Sequence, residues 1–556
     1  MEAYNGKIED SMGFTVRKAI NNIVTGVFCL TLISCAILSD MPAGSEYDYD
    51  TIITNGRVLD GTGNPWYYAD IAIKGDEIVT IGEVQGEVAR DTIDATGLYV
   101  TPGFIDVHSH AGSGLTDPEL SGAKPLLLQG ITTVFVNPDG GGAVDLEQQR
   151  RELLEDGIGV NVAQMVPHGS IRGEVIGMED RAPAPDEMRE MKRLVREGMR
   201  AGGFGLSSGP FYSPGSYATT GELVELAREA AAYDGAYTSH IRDESNYTIG
   251  LEAAVDEVIQ VAREARLPGV VTHIKALGPP VWGLSETIVA NIEQARAEGV
   301  EVFADQYPYM ASATGLIPAL VPRWAEVGGH DELVERLEDP ELFPKIRSGM
   351  KENLARRGGA DRIQFRYYRP DATIEGKTLQ EVAGARNRSP LEMAIELIKE
   401  GRPGIVSFNM TEEDVHRFMR QRWTMTSSDG GLVPLGQGVP HPRNYGTYPR
   451  KIKKYVTEKE VIDLPSAIRS MTTLPAQVFG LTDRGQLREG AKADFAMFDL
   501  EQFADKATFQ EPHQYSTGME YVLVNGTVVV REGTFSSKRA GRILRHIAEK
   551  DDKERK

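Results

Sequence analysis

The sequence predicts an α/β protein, and three features carry that expectation. Short apolar runs in the middle of the chain alternate with longer segments whose apolar residues recur at helical spacing. Eight such runs can be counted, the number that closes a parallel barrel. A different pattern, short runs of alternating apolar and polar residues, flanks this middle at both ends. At 556 residues the chain is long enough for more than one domain, and 25% charged with 41% hydrophobic residues is the composition of a globular protein. A formal net charge of −21 favours solubility and argues against a nucleic-acid partner.

Taken in order, residues 1–35 read as an export signal and not as part of the fold. Arg17 and Lys18 precede an apolar run, Ile23 to Ile33, too short to span a bilayer as an ordinary helix. Leu32-Ile33-Ser34-Cys35-Ala36 follows and resembles a bacterial lipoprotein lipobox, which implies lipidation of Cys35 and anchoring on the periplasmic or outer face of a membrane. A plain cleaved signal or a single anchor helix is the alternative. Met12 is the better start, because the residues before it add acids to a region that should be basic. Cys29 and Cys35 are the two cysteines of the chain, so no structural disulfide and no thiolate zinc site is expected in the folded part.

Residues 36–49 form a linker. Residues 50–100 alternate as strands do, at Thr51–Ile53, Gly56–Val58 and Asp70–Ile73, with Asn55-Gly56 and Gly75-Asp76 read as turns. The pattern returns over 481–535, at Ala493–Phe498 and Tyr521–Val530, so one small β-sandwich built from both chain ends is expected. Between them, 101–480 carries the barrel. Its candidate strands are Phe104–His108, Thr132–Asn137, Val162–Val166, Phe204–Ser208, Ala236–His240, Gly269–Ile274, Val300–Asp305 and Thr424–Asp429. The long interval before the last strand is charged and helical, and predicts an insertion at about 311–400 that caps the site. Residues 536–556 form a basic tail (Lys538, Arg539, Arg542, Arg545), read as solvated.

Chemistry collects at the ends of these runs. His108 and His110 stand one residue apart after Phe104–Val107, and alternate residues of a strand share a face, so both imidazoles can reach one ion. Alone, His-x-His fits a chance pair equally well. His240, His273 and Asp429 end three further runs, and strand C-terminal ends are where barrels of this type build their sites. Imidazole plus carboxylate without thiolate suits zinc, one ion or two, or another divalent transition metal.

With these residues in place, the chain resembles the amidohydrolase superfamily, and within it the D-aminoacylase (N-acyl-D-amino-acid deacylase) family. The resemblance rests on Gly103–His110, Gln129–Thr133, Gly205–Gly209, His240–Glu244, His273–Lys275, Asp305–Tyr309, Ser427–Gly430 and His441–Thr447, and covers about residues 50 to 533. It implies a TIM-type (β/α)8 barrel and hydrolysis of the amide of an N-acyl-D-amino acid, or of a peptide with a C-terminal D-residue, by metal-activated water. It implies one metal site from His108, His110 and Asp429, another from His240 and His273, and Asp429 as general base. It also implies a small-molecule substrate whose carboxylate meets Lys275, Tyr307 and Arg443, with Tyr212 facing it. One position departs from the family. Where the family usually has a metal-binding cysteine after its Gly-Ile-Thr-Thr strand, this chain has Asp139. A carboxylate there can bridge two cations, leave a mononuclear site, or merely cap the Gly140-Gly141-Gly142 turn. A cyclic amidase of dihydroorotase or hydantoinase type and a non-catalytic substrate-binding lipoprotein are the alternative functions. The oligomeric state is left open.

Overall fold

The computed structural model describes residues 47–84 and 86–546; the expected signal segment with Cys29 and Cys35, most of the linker, and the last ten residues lie outside the described residues. Among the described residues, no helix is long and apolar enough to cross a membrane.

The chain opens with β1 (Tyr49–Val58), β2 (Tyr67–Lys74), β3 (Glu77–Gly82), β4 (Ala89–Asp94) and β5 (Tyr99–Pro102). Gly75-Asp76 is the β2–β3 turn, as its dipeptide suggests. Asn55-Gly56 is not a turn. It is a bulge inside β1, where the register against β2 slips between Ile53 and Gly56. Asn55 takes a φ of 60°, and a Cβ on Gly56 would lie 2.4 Å from Val100 Cγ2, so both residues serve a local kink against β5.

The barrel follows, with β6 (Phe104–Asp106), β7 (Ile131–Val136), β8 (Asn161–Gln164), β9 (Val166–Pro167), β10 (Gly205–Ser208), β11 (Ala236–Ser239), β12 (Gly269–Val271) and β13 (Val302–Gln306). Met165 alone separates β8 from β9, which act as one stave. Neighbouring staves pair in parallel, and their side chains are almost all buried, as expected where helices cover the outer face. The outer helices show why. In the helix Pro185–Arg200, Pro sits in the first turn with Asp186 and Glu187, and Met191, Leu194, Val195, Gly198 and Met199 form the buried stripe. The helix Thr220–Ala231 is capped by Thr219, whose hydroxyl accepts from Glu222 N at 3.2 Å.

Next comes the insertion. It is richer than the helical segment its charge pattern suggests, because β14 (Ser312–Gly315), β15 (Ile363–Tyr367) and β16 (Gly404–Ser407) form an antiparallel sheet under its helices. β17 (Thr424–Thr426) then returns to the barrel beside β13. The last seam, β17 to β6, closes through loop backbone and side chains just beyond the strands. Asp429 N donates to His108 O at 2.9 Å, His110 N donates to Gly430 O at 2.7 Å, and the buried Asp106 carboxylate accepts from Ser428 N at 2.8 Å and from its hydroxyl.

The chain ends with β18 (Phe495–Phe498), β19 (Met519–Val524), β20 (Thr527–Arg531) and β21 (Thr534–Phe535). β18 pairs with β5, so the nine strands from both termini form one sheet. Thr101 and Pro102 belong to β5 itself; Gly103 is the break, and a Cβ there would lie 2.2 Å from Thr132 Oγ1. The expectation of a solvated basic tail is corrected for its described part. Val162 N donates to Arg542 O at 2.9 Å and Leu544 N to Val162 O at 2.8 Å, while Arg539 donates to Ser121 Oγ at 3.0 Å. The backbone docks along β8, while the side chains of Lys538, Arg542 and Arg545 remain exposed.

Candidate metal centre and the cavity above it

Every expected ligand lies at or just beyond the C-terminal end of a barrel strand: His108 and His110 after β6, Asp139 after β7, His240 after β11, His273 after β12 and Asp429 after β17. The Asp139 carboxylate sits among all four histidines. Its Oδ1 is 3.3 Å from His108 Nε2, 3.4 Å from His240 Nδ1 and 3.5 Å from His273 Nε2, and its Oδ2 is 3.3 Å from His110 Nε2. Asp429 Oδ1 lies 3.2 Å from His110 Nε2 and 3.8 Å from His108 Nε2. Donor atoms therefore gather in three groups, each within 4.8 Å: His108, His110 and Asp429; His108, Asp139 and His273; and His240, Glu244 and His273.

These groups fit a cation. His108 Nε2, both ring nitrogens of His240 and Asp139 Oδ1 are buried and make no hydrogen bond among the described residues. Native interiors rarely leave such atoms unsatisfied, and imidazoles clustered around a carboxylate at coordinating range are what a divalent ion satisfies. The local field agrees. Burial disfavours the charged form of His110, yet Asp139 and Asp429 carry its imidazole up to about 9. Burial and Lys275 push the His273 imidazole down, and Asp139 and Glu244 outweigh them, carrying it up to about 9.

Asp139, His273 and Asp429 all hold positive φ, at 56°, 36° and 48°. A non-glycine residue adopts that backbone only when its surroundings enforce it, and such strain concentrates at functional sites. The enforcing contacts are visible. His273 N donates to Asp305 Oδ1 at 2.8 Å, and Ser427 Oγ donates to the same oxygen. Ser428 holds Asp106 on the other side. The Ser427-Ser428-Asp429 run thus ties the last stave to β13 and β6, and delivers Asp429 between them.

Of the expected substrate contacts, Lys275 donates to Glu244 Oε1 and, at 2.7 Å, to His273 Nδ1. Glu244 was legible only as the end of the His240–Glu244 run and was not expected to join the site; it is buried, 3.2 Å from His273 Nδ1 and 3.5 Å from His240 Nε2. Burial works against its charge, but Lys275 holds its carboxyl well below the usual range. Arg443 grips Asp429 with both terminal nitrogens, at 2.7 and 2.9 Å, and lies 4.9 Å from the Tyr307 ring centroid. The buried Tyr307 hydroxyl has no hydrogen-bond partner among the described residues. Tyr212 stacks edge-on against His240 at 4.6 Å and its hydroxyl is 3.2 Å from Thr314 Oγ1, on β14 of the insertion. A cavity of about 1640 Å³ opens above the ligands, walled by the barrel loops on one side and by the insertion on the other.

Comparison with known proteins agrees with this architecture. A sequence profile described as the amidohydrolase family matches residues 91–530. An N-acyl-D-glutamate deacylase of Alcaligenes xylosoxydans xylosoxydans is 35% identical over 90% of this chain and 97% of its own length. The crystal structure of an N-acyl-D-glutamate deacylase from Bordetella bronchiseptica, complexed with zinc and a phosphonate mimic of the tetrahedral intermediate, superposes with a TM-score of 0.76 at 33% identity, covering 89% of this chain and 99% of that one. A D-aminoacylase structure concerned with a binuclear metal centre gives a TM-score of 0.75 at 30% identity, covering 89% and 100%.

Proposed function

The chain belongs to the amidohydrolase family, and from that premise we propose that it hydrolyses the amide bond of N-acyl-D-amino acids, and that His108, His110, His240, His273, Asp429 and Asp139 are the residues that would hold its zinc. The observation that carries this is the convergence of four histidines and two carboxylates on one point at the mouth of the barrel. A divalent cation in such a site lowers the pKa of water from ~16 toward ~7 and polarises a carbonyl oxygen. Asp429 is the base. Its carboxylate borders both the ligand cluster and the cavity, so it takes the proton of the attacking water and passes it to the leaving amine. Arg443 fixes the orientation of Asp429 and also faces the cavity, so one guanidinium serves both the base and an incoming substrate carboxylate. The free Tyr307 hydroxyl donates to that carboxylate, and Lys275, anchored by Glu244, adds positive charge. Tyr212 packs His240 in place and closes the cavity against Thr314. The D configuration follows the relatives, each named for D substrates.

For the exported form, Arg17, Lys18, the Ile23–Ile33 run and the lipobox-like sequence ending at Cys35 support a lipid-anchored protein outside the cytoplasm. Incorporation of labelled fatty acid that is lost in Cys35→Ser tests this. The enzyme reading is tested on the chain beginning after Cys35 and loaded with zinc. Amine release is expected from N-acetyl-D-amino acids and not from their L isomers, and chelation should abolish it. Turnover of hydantoin or dihydroorotate, with none of the linear D series, would replace the proposal with a cyclic amidase.

A further inference from the structure

Several buried guanidinium groups in this protein have a protein partner for at least one of their nitrogens. Arg172 pairs with Glu222 at 2.6 Å, Arg484 pairs with Asp494, and Arg357 donates to Ser407 Oγ and Ala319 O. Arg366 differs in having no side-chain hydrogen bond at all among the described residues. It lies on β15 of the insertion and lines the catalytic cavity, its Nε is buried without a hydrogen-bond partner, and it forms no ion pair among the described residues. Burial disfavours its charge, and its electrostatic neighbours include Arg443, which adds to the cost, and Asp429. Arg366 as a whole is half-buried, and a partly desolvated cation without a counter-charge is costly unless a ligand supplies one.

The placement is fixed. Val439 N donates to Arg366 O at 2.8 Å, and Gly438, with φ +69°, passes so close to that carbonyl that a Cβ would lie 2.8 Å from it. The loop between Asp429 and Arg443 is therefore fastened to β15 at Arg366, which holds the two arginines on facing walls of one cavity. Arg369 and Arg402 line the same cavity nearer solvent, and they too form no ion pair among the described residues.

We infer that Arg366, with Arg369 and Arg402 at the rim, is a second anion site that selects substrates carrying a second carboxylate on the amino-acid side chain, as N-acyl-D-glutamate and N-acyl-D-aspartate do. This rests on the deacylase reading above. It places the α-carboxylate on Arg443, and Arg366 lines the same cavity from the facing wall, so the inference assigns the second anion to the amino-acid side of the scissile amide and not to the acyl group. The cavity is larger than the ~300–1,000 Å³ common for small-molecule sites, so it has room for the longer substrate. A planar fork meeting a carboxylate is the pairing that discriminates acid from amide most strongly.

The test compares kcat/KM for N-acetyl-D-glutamate and N-acetyl-D-glutamine, alike in shape and different in charge. The unaltered enzyme should prefer the acid at least tenfold. Arg366→Met should cut that ratio tenfold or more, mainly through KM for the acid, and Arg366→Lys should restore part of it. Turnover without any acid preference, or an equal loss on both substrates, overturns the inference while leaving the deacylase reading intact. Calorimetric titration of the zinc-loaded protein with glutarate judges the anion site without turnover: binding should weaken at least fivefold in Arg366→Met, and unchanged binding overturns the assignment even if no N-acyl substrate is cleaved.

Discussion

The two walls of the catalytic cavity are built on opposite principles. On the barrel wall each charge is matched: Asp429 with Arg443, Glu244 with Lys275, Asp139 with the histidines around it. On the insertion wall Arg366, Arg369 and Arg402 face the same space without a carboxylate partner among the described residues. A wall with internal pairing is pre-organised for charge that develops during a reaction, and it changes little when a ligand arrives. A wall with unmatched cations is completed by the ligand. The barrel side therefore sets what bond is broken, and the insertion sets which molecule is admitted.

Breaking the paired wall should cost rate, and the largest loss belongs to Asp429. Asp429→Asn is expected to lower kcat by about 10²–10⁴-fold in steady-state assays, the size of a lost general base; a kcat within threefold of the unaltered enzyme would remove Asp429 from that role. Glu244→Gln leaves Lys275 buried without its partner and loosens His273. We expect a loss of about 10–100-fold in metal affinity or activity, measurable by zinc titration with a competing chelator, together with a lower melting temperature. Arg443→Lys keeps the charge and loses the fork, so KM should rise roughly tenfold, the equivalent of one charge-assisted hydrogen bond, with a smaller change in kcat.

The smallest effect on activity sharpens the contrast from beyond the cavity. Lys451 is buried and donates to Thr426 Oγ1 at 2.7 Å and Ser470 Oγ at 3.0 Å, and burial pushes its amine down to about 7. Above that pH the folded protein holds the neutral amine, while the unfolded chain, with an ordinary lysine near ~10.4, still binds a proton. The Lys451 contribution to stability therefore rises with pH from about 7 toward the unfolded value, and below about 7 it stays at its minimum. Denaturant midpoints measured across that window should climb less steeply in Lys451→Met, with substrate preference unmoved.

Much of the barrel wall was legible in sequence because the proposed metal ligands also end the apolar runs that become its strands. An apolar run closing on His108, His240, His273 or Asp429 announces both element and ligand. Glu244 left no such mark, since it sits in a loop four residues past His240 and acts through a fold-dependent partner, Lys275. Asp106, Asp305, Ser427 and Ser428 stand inside runs that carry the family resemblance, yet nothing local assigns them a role; their work of clamping one stave to the next exists only once the barrel has closed. The insertion wall was nearly silent. Strands of four or five residues among charged helices carry too little periodicity to stand out, and no local pattern separates Arg366 from a solvated arginine. Asn55-Gly56 shows the opposite failure, a strong turn signal used as a bulge because β5 approaches it from the side.

The sheet shared by both chain ends has a consequence for the order in which the protein is made. Pro102 pairs with Phe495, so β5 has an open edge until nearly the whole chain has been synthesised. An unpaired edge is a template for wrong partners. The barrel, whose last stave β17 is made well before β18, can form while β5 still waits for its partner, and the late arrival of β18 then fastens the two termini together. Assembly ends where the sequence began.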